Sequence, residues 1–527
     1  MIAVVLMTFL RFKNKKNTQN INLNQMIIQT IFFLFIYVLG AAISVPFFHN
    51  TQNQNYVPVF AFFIGTSVYS ILLFLVLFIQ GIAGWTVSYS FWLLAIFLLL
   101  TLTYLFVKNR VIYIESINNN YKSFLLFTGI IFFSTLVFSF FNYTVVSYDS
   151  YRYLELGEGL AVSGFKVDNY FIETGVFKTR ALFYSLFHAL SRVFNIDYLW
   201  AFIPTYSICF ILAFYCLLSD MIKTITGNSL ISRWITLFAT LFILSSQFVI
   251  FNFFYINNHL FTTVHFTLFF LVTWRGLYFK DNKIIYLATI LLVPTILMRL
   301  ENVIILPIFV AIILPNIPKI QTIRKLITLI GFCVSIYSFL YLLNLYGYSS
   351  HGGFINAEKI SLMLFSGLLC IIFGQTIGRV SLVTSCVENC KRYSSSMILT
   401  MLTFAVCVTF FVSYETSGIS LPIVVTNLFD IGIWGHFWYI VSFMTLLLYV
   451  ITGDRDYSYR DFFTSGILIF VLLTIELAFL RSSAYRLGWG DSANRMMLHI
   501  VPLIVAHLST TVAVHLSFKN DENSVRY

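Results

Sequence analysis

Long apolar stretches recur along this 527-residue chain, and their length constrains the fold more than any other feature. A helix needs ~20 mostly apolar residues to cross a bilayer. The stretches lie near residues 26–46, 58–80, 86–107, 123–141, 198–218, 234–254, 260–278, 284–298, 302–315, 325–345, 360–377, 397–413, 433–452, 462–480 and 497–516. Charged residues make up 10% of the chain, against ~25% in soluble proteins. The sequence therefore predicts an all-α polytopic membrane protein with about 14 or 15 transmembrane helices.

The links between these stretches carry most of the Lys and Arg residues behind the net charge of +11. Basic links occur at alternate turns of the chain: SDMIKTITGNSLISR, RGLYFKDNK, NIPKIQTIRK, CKRYSSS and GDRDYSYR. Because basic links tend to stay in the cytoplasm, residues 142–197 and 481–496 should face the non-cytoplasmic side of a plasma or inner membrane. The basic runs are too short to follow a phosphate backbone, so we expect no nucleic-acid partner.

The N-terminal link RFKNKKN does not fit this alternation. Four apolar stretches precede residues 142–197, and four crossings would place this basic link outside. Either the first stretch does not cross the membrane, or the number of spans near residues 58–107 is miscounted. The sequence leaves both explanations open.

The segment 142–197 is the longest polar interruption of the apolar pattern. It directly follows an apolar stretch and contains four charged residues within ten positions: Asp149, Arg152, Glu155 and Glu158. Charges at a membrane edge lie where a lipid headgroup meets the aqueous phase. This segment is therefore the first candidate for a functional loop.

Two amphipathic helices are predicted in this loop. The first begins at Ser150 and ends at the Ser163–Gly164 pair, since glycine favours helix termination. Three residues share its apolar face: Tyr153, Leu156 and Leu160. The second spans residues 181–194. Such helices can lie on the membrane surface.

Asp149 has two interpretations from its position. It can cap the helix that begins at Ser150, because Asp is a favoured N-cap residue. It can also act as a general base at the membrane edge. The two roles are compatible.

Asp168 and Glu173 are the other acidic residues of the outward loop that could take part in catalysis. For either one alone, a surface salt bridge with Lys166, Lys178 or Arg180 is the simpler interpretation. The sequence does not decide between them.

The segment TILMRLENVIILP places Arg299 and Glu301 inside an apolar run. Ionisable residues are costly there and are candidates for function. They can form a mutual ion pair in a tight turn, or Arg299 can bind a phosphate with its planar guanidinium group. The two short stretches beside this segment, 284–298 and 302–315, could be half-length helices.

A third polar cluster precedes the last apolar stretch. Arg481, Arg486 and Arg495 lie with Asp491 on one outward link, and His499 follows one turn later. Outward arginines run against the positive-inside trend. They can anchor the chain to lipid phosphates or bind a phosphate-bearing ligand.

The remaining polar signals are weaker. Asn257, Asn258 and His259 lie on another outward turn, where a His is more often an interhelical partner than a ligand. Cys386 and Cys390 share a polar link without a second Cys pair or His partner, so they form a weak metal-binding pattern.

Taken in chain order, these segments resemble the GT-C membrane glycosyltransferases. The segments are SYDSYRYLELGEG, YINNH, MRLENVIILP and NRMMLHIVPL, and the resemblance covers roughly residues 123–510. That family transfers sugars from polyprenyl-phosphate donors and includes protein mannosyltransferases and lipid A aminoarabinose transferases. The resemblance rests on the order and sidedness of the segments, since no single one is specific.

The resemblance implies a division of the chain. Residues 123–516 would form the family core, with the external loop 142–197 as its first catalytic loop. Residues 1–122 would be additional N-terminal spans, and residues 517–527 a cytoplasmic tail. The family usually has one span before its first loop, and many members carry a soluble C-terminal domain that is not seen in this sequence.

The resemblance also implies roles for individual residues. Asp149 would be the catalytic base, and Asp168 or Glu173 the second loop acid. Three arginines would bind the donor phosphate: Arg299, Arg486 and Arg495. Five residues would contact substrate: Tyr153, Asn258, His259, Glu301 and His499. Family members often have Pro where this chain has Leu300, which weakens the match around Arg299 and Glu301.

The implied reaction joins a polyprenyl-phosphate sugar to a lipid, glycan or protein acceptor of the cell envelope. No cofactor is required by these residues, and a divalent metal near Asp149 stays open. Two other functions are compatible with the sequence: a polymerase or ligase of lipid-linked glycans, and a transporter or flippase of lipids or sugars. A transporter should show related halves and charges near the bilayer midplane, whereas the charges here cluster at one face.

Overall fold

The computed structural model describes residues 23–48, 56–141, 144–165, 182–194, 201–299, 302–317, 319–345, 357–452, 458–479 and 485–524. These residues are almost entirely helical and contain no β-strand, apart from an isolated parallel bridge between Val145 and Tyr255. The chain is an all-α polytopic membrane protein, as its hydropathy predicted.

The first half of the chain contains α1 to α13. Their bounds are α1 Leu23–Phe48, α2 Val57–Ala83, α3 Val87–Lys108, α4 Arg110–Phe141, α5 Tyr148–Ser163, α6 Phe183–Val193, α7 Phe202–Thr226, α8 Ser229–Ser245, α9 Gln247–Asn252, α10 His259–Tyr278, α11 Asn282–Leu292, α12 Thr295–Met298 and α13 Asn302–Ile313.

The second half continues with α14 Ile320–Leu345, α15 Ala357–Thr376, α16 Ser381–Lys391, α17 Ser394–Val412, α18 Tyr414–Thr426, α19 Phe437–Thr452, α20 Ser458–Phe479, α21 Ser492–Met497 and α22 Val501–Ser524. A short 3-10 helix, Leu498–Ile500, joins α21 to α22, and a π-helix, Asn427–Ile431, follows α18.

The number of long apolar helices is smaller than the number of predicted spans. Nine helices of the described residues are long and apolar enough to cross a membrane, or ten if the sharply bent pair α15–α16 is one span. The other predicted stretches form apolar helices of 10–17 residues, including the pair that flanks Arg299. The half-length helices predicted on either side of this arginine are thereby confirmed, and the count of 14 or 15 full-length helices is not.

The start of α10 fixes the direction of the bundle. It lies beside Tyr255, which pairs with Val145 just before α5, so α10 begins at the end that carries the polar loop, here called the polar-loop end. At ~1.5 Å per residue its other terminus lies roughly 30 Å away. The turns with Lys223, Lys280 and Lys319 belong to that opposite end, here called the basic end.

The N-terminal helices follow the same alternation. On α10, Arg275 forms an ion pair with Asp220 and stacks on the ring of Tyr56, 3.8 Å from its centroid, so α2 begins at the basic end. Helices α1 and α2 are antiparallel and pack backbone to backbone where Gly40 faces Ala61. Four long helices therefore precede α5, and α1 starts at the polar-loop end. The RFKNKKN link lies outside the described residues.

The described helices among the first 122 residues pack against helices of the rest of the chain. Helices α1 and α2 contact α4, α7 and α11, so they are not a detached extension. Helix α4 runs through the predicted boundary at residue 122, with non-helical backbone angles at Asn120 (φ −124°, ψ 17°). Helix α22 likewise continues past residue 517.

Both amphipathic helices of the polar loop are confirmed. Helix α5 ends at Ser163, and Gly164 beyond it adopts a φ of +62°, a backbone conformation that glycine tolerates. The predicted apolar stripe is buried: Tyr153, Leu156 and Leu160. Helix α6 packs on α5, and Ser185 Oγ donates a hydrogen bond of 2.8 Å to the Tyr153 carbonyl. This packing holds the start of α5 against the bundle.

Candidate active site

Asp149 lies in the first turn of α5 but is not its N-cap. The cap is Ser147, whose backbone N–H donates to Ser150 Oγ at 3.0 Å, so the predicted capping role of Asp149 is wrong. Ser150 Oγ in turn donates to the Ile256 carbonyl at 2.8 Å and ties the helix start to the chain before α10. Two serines therefore organise the helix start, and the Asp149 carboxylate is directed to another partner.

That partner is Arg495 of α21, whose Nη1 donates to Asp149 Oδ2. Both side chains are partly buried, with exposures of 20% for Asp149 and 14% for Arg495. Asp491 caps α21: its Oδ2 accepts from the Ala493 N–H at 2.9 Å, and its Oδ1 accepts from the Arg486 N–H at 3.0 Å. Asp491 thus has a structural role, since it holds the turn that presents Arg495.

Two histidines and an arginine form the second part of the site. His259 Nδ1 lies 3.0 Å from His499 Nε2, and the two rings are stacked with centroids 5.2 Å apart. Arg299 Nη1 lies 3.1 Å from His259 Nδ1 and 3.3 Å from its Nε2. Arg299 follows the end of α12 in an extended conformation, which directs its side chain at the start of α10.

The two parts form one cluster. Arg495 and His499 are four residues apart on the continuous helical run from α21 to α22, so their side chains share a face. The structure thus brings together five residues predicted from the sequence, and we call them the Asp149 cluster: Asp149, His259, Arg299, Arg495 and His499. The aromatic rings of Phe266 and Phe470 enclose His499, with centroids 5.9 and 5.6 Å away.

Two atoms of this cluster are buried without a hydrogen-bond partner among the described residues. They are Arg495 Nε and His499 Nδ1. Buried polar atoms are nearly always satisfied in folded proteins, because leaving one unpaired costs about 1–3 kcal/mol. Other unpaired buried atoms are spread through the bundle, but these two lie beside a carboxylate, where a polar ligand could satisfy both.

Sequence reasoning missed Tyr255 and Ser147. Tyr255 Oη and Ser147 Oγ are 2.5 Å apart, next to the bridge between Val145 and Tyr255. Burial raises the pKa of the Tyr255 phenol, while the Ser147 hydroxyl and the nearby Arg495 guanidinium oppose that shift. Tyr255 is thus a neutral hydroxyl within reach of the ion pair. A tyrosine two residues before the NNH segment was the available signal for it.

Two predicted substrate residues are used in the packing of the polar loop. Tyr153 is buried against the bundle, and its carbonyl accepts from Ser185. Asn258 is fully buried, and its Oδ1 accepts from the Tyr184 N–H at 3.1 Å. These contacts position α5 and α6 at the site. Contact of either side chain with a substrate stays a prediction.

Arg486 is not part of the Asp149 cluster. Its side chain is exposed, and its backbone carbonyl accepts from Asn427 Nδ2 at 2.9 Å. Four predicted residues lie outside the described part of the chain: Asp168, Glu173, Glu301 and Arg481. The second loop acid and the ion pair between Arg299 and Glu301 therefore stay predictions.

The described residues contain no group of three or more His, Cys, Asp and Glu side chains that could hold a metal ion. The Asp149 carboxylate is paired with a guanidinium, which is itself a cation. The two link cysteines, Cys386 and Cys390, have their Sγ atoms 4.0 Å apart. A metal near Asp149 would have to recruit ligands from substrate, from water or from residues outside the described ranges.

The chain was compared with protein-family models, with curated proteins and with solved structures, and nothing matches it in any of the three comparisons.

Proposed function

We propose that this protein is a membrane glycosyltransferase that moves a sugar from a polyprenyl-phosphate donor to a cell-envelope acceptor. The observation that carries the proposal is the pairing of Asp149 with Arg495 beside two unsatisfied buried atoms, Arg495 Nε and His499 Nδ1. The cluster places a potential base, Asp149, next to several N–H donors that can bind a phosphate. It lies at the polar-loop end of the helical bundle.

The donor phosphate would bind to the arginines. A guanidinium group offers five N–H donors, and Arg495 uses Nη1 on Asp149 while its Nε is unpaired among the described residues. Arg299 adds a second guanidinium through its contact with His259. These donors would stabilise the negative charge that grows on the phosphate as the sugar leaves.

Asp149 would act as the general base for the acceptor hydroxyl. A phosphate bound by Arg495 competes with Asp149 for the guanidinium, which frees the carboxylate to take a proton from the acceptor hydroxyl. The acceptor oxygen then bonds to the anomeric carbon as the bond from that carbon to the phosphate oxygen breaks. The products are the glycosylated acceptor, the polyprenyl phosphate and a proton carried by Asp149.

The charge distribution supports a site on the non-cytoplasmic face of a plasma or inner membrane. The described links at the basic end carry Lys280, Lys319 and Lys391, and basic links favour the cytoplasm. The Asp149 cluster belongs to the opposite end of the bundle. Lipid-linked sugars of the outer leaflet would reach this end from the membrane.

A second candidate is a polymerase or ligase of lipid-linked glycans. The contacts among Arg299, His259 and His499 favour this candidate, since such enzymes typically use Arg and His for catalysis more than a loop carboxylate. The two functions differ in product: a glycosyltransferase adds one sugar, whereas a polymerase or ligase joins preassembled glycans.

The test is mass spectrometry of cell-envelope glycans from cells with the intact gene, without it, and with Asp149→Asn. Loss of one sugar in both altered strains is expected, together with a ~10²- to 10⁴-fold lower rate of transfer to the acceptor. Glu155→Gln is the matched control, because Glu155 lies on the same helix and pairs with Arg152 at 2.9 Å.

Loss of whole glycan blocks would favour the polymerase or ligase. A normal glycan in the Asp149→Asn strain, with folded protein present, would contradict the proposal. Unchanged transfer with a lipid or sugar retained in the cytoplasmic leaflet would indicate a transporter or flippase.

A further inference from the structure

A cavity of about 530 Å³ lies between α14 and α15 at the basic end of the bundle. It is separated from the Asp149 cluster by the length of α13 and of the short 3-10 helix that follows it, Leu314–Asn316, roughly 20 Å at ~1.5 Å per residue. It shares no residue with the cluster, so its chemistry requires its own explanation.

The mouth of this cavity is polar and cationic. Arg324 and Lys325 lie side by side in the first turns of α14, and neither forms an ion pair with a described residue. Arg324 Nη2 donates to Gln375 Oε1 of α15 at 3.1 Å, which leaves its other N–H groups for a ligand. Lys325 Nζ lies 5.8 Å from the ring centroid of Tyr286, so an aromatic face supports its charge.

The inner wall of the cavity is apolar and open to the side of the bundle. Leu329 and Phe332 follow the two cations by one to two turns along α14, and Phe332 is 55% exposed. Thr328 also lines the cavity, at a point where α14 and α15 are closely packed, since a Cβ on Gly374 would lie 2.5 Å from its hydroxyl. A ligand that enters from the side meets hydrocarbon first and positive charge at the membrane edge.

We propose that this cavity binds the headgroup of an anionic phospholipid of the leaflet at the basic end. The phosphate would lie between Arg324 and Lys325, and the acyl chains would follow Leu329 and Phe332. An acyl chain explains the apolar wall, which a free phosphate would leave unused. The charge of the site matches an anionic headgroup better than a zwitterionic one, because each nearby Lys or Arg adds attraction for anionic lipid.

The test uses the purified full-length protein in mixed micelles of phosphatidylglycerol and phosphatidylcholine in equal amounts. Native mass spectrometry then measures the ratio of the two lipids retained by the protein. We expect wild type to retain mainly phosphatidylglycerol. The double substitution Arg324→Gln with Lys325→Gln should lower this ratio roughly 25-fold, since each basic side chain contributes about fivefold to the attraction and the two contributions multiply.

The control is Arg379→Gln with Lys391→Gln, which removes two cations of the same end from outside the cavity. It should keep the wild-type ratio. An equal loss in the control would show that general surface charge selects the lipid, and an unchanged ratio in the cavity variant would also overturn the proposal. A third arm adds inorganic phosphate: if it displaces the lipid, the site binds a free anion instead.

The cavity variant can also be destabilised, because Arg324 contributes the hydrogen bond to Gln375. Single Lys325→Gln avoids this, as that residue makes no hydrogen bond to Gln375. It should lower the lipid ratio roughly fivefold while the protein elutes as folded material. Retention of the full ratio by this variant would contradict a headgroup site between the two cations.

Discussion

Asp149 and Arg495 form an ion pair although 346 residues separate them in the sequence. The contact joins the start of the polar-loop helix α5 to the helix that leads into α22. Asp149 lies in the first turn of α5 without capping that helix, and its carboxylate contacts Arg495 instead. The pair therefore links the two regions of the chain that the proposed reaction needs.

Replacing Arg495 by Lys should impair turnover even though the charge is kept. Lysine cannot reproduce the planar guanidinium, which contacts Asp149 and leaves Nε for a ligand. A contact that strengthens as the phosphate leaves is worth ~2–4 kcal/mol, or roughly 30- to 1,000-fold in rate. The assay is transfer from a lipid-phosphate sugar by purified enzyme, with and without EDTA. If EDTA abolishes transfer and Arg495→Lys does not reduce it, Asp149 acts first as a metal ligand.

The ion pair should also be measurable as coupling in stability. Asp149→Asn and Arg495→Gln each leave one partly buried charge unpaired, so each should lower the melting temperature. The double variant should lose less than the sum of the two losses, with a coupling of about 1–3 kcal/mol. The reference is the pair Arg152–Glu155, with side chains 32% and 29% exposed, where coupling below ~0.5 kcal/mol is expected. Additive losses at Asp149 and Arg495 would refute a direct interaction.

Thiol labelling can establish which side of the membrane carries the cluster. Val162→Cys and Leu487→Cys introduce thiols at exposed positions of the polar-loop end, with exposures of 83% and 59%. In a chain otherwise free of Cys, both should react with an impermeant reagent on intact cells. A chain that keeps only the exposed Cys386 of the basic end should react only after permeabilisation. The reverse pattern would place the Asp149 cluster in the cytoplasm and remove the outer-leaflet donor.

The packing of α5 against α6 should weaken at acidic pH. Burial lowers the pKa of His188, and its contact with Glu158 at 3.2 Å opposes this shift only in part. The folded state then binds a proton less readily than the unfolded state, whose His pKa is ~6.5. Stability is therefore complete above that pH and is lost as the pH falls below it.

The measurement is the melting temperature in detergent between neutral pH and about one unit below the unfolded-state pKa. His188→Gln should reduce the slope of stability with pH in this window. His436→Gln is the control, because that histidine is exposed on a separate link, and it should keep the wild-type slope. Equal slopes in wild type and His188→Gln would rule out His188 as the titrating group.

Local features of the chain could be predicted because their causes are local. Hydropathy over ~20 residues depends on neighbouring side chains alone, and it indicated the membrane fold. The stripe Tyr153, Leu156 and Leu160 and the stop at Gly164 likewise follow from periodicity and backbone preference. Among the described residues, nine or ten helices are long and apolar enough to cross. Shorter apolar stretches look like them in a hydropathy pattern, so the count of 14 or 15 transmembrane helices stays a prediction.

The amino-acid sequence was enough to indicate a helical membrane protein with charged residues concentrated at one loop and at a few links between apolar stretches. Which of these charges meet depends on the packing of the helices in three dimensions. The position of Asp149 in the sequence suggested an N-cap of α5. Ser147 is the N-cap instead, and the Asp149 carboxylate contacts Arg495. His259 and His499 are 240 residues apart and touch because α10 begins, and α21 ends, at the polar-loop end of the bundle. Such contacts depend on how helices pack, and no local pattern records the partner.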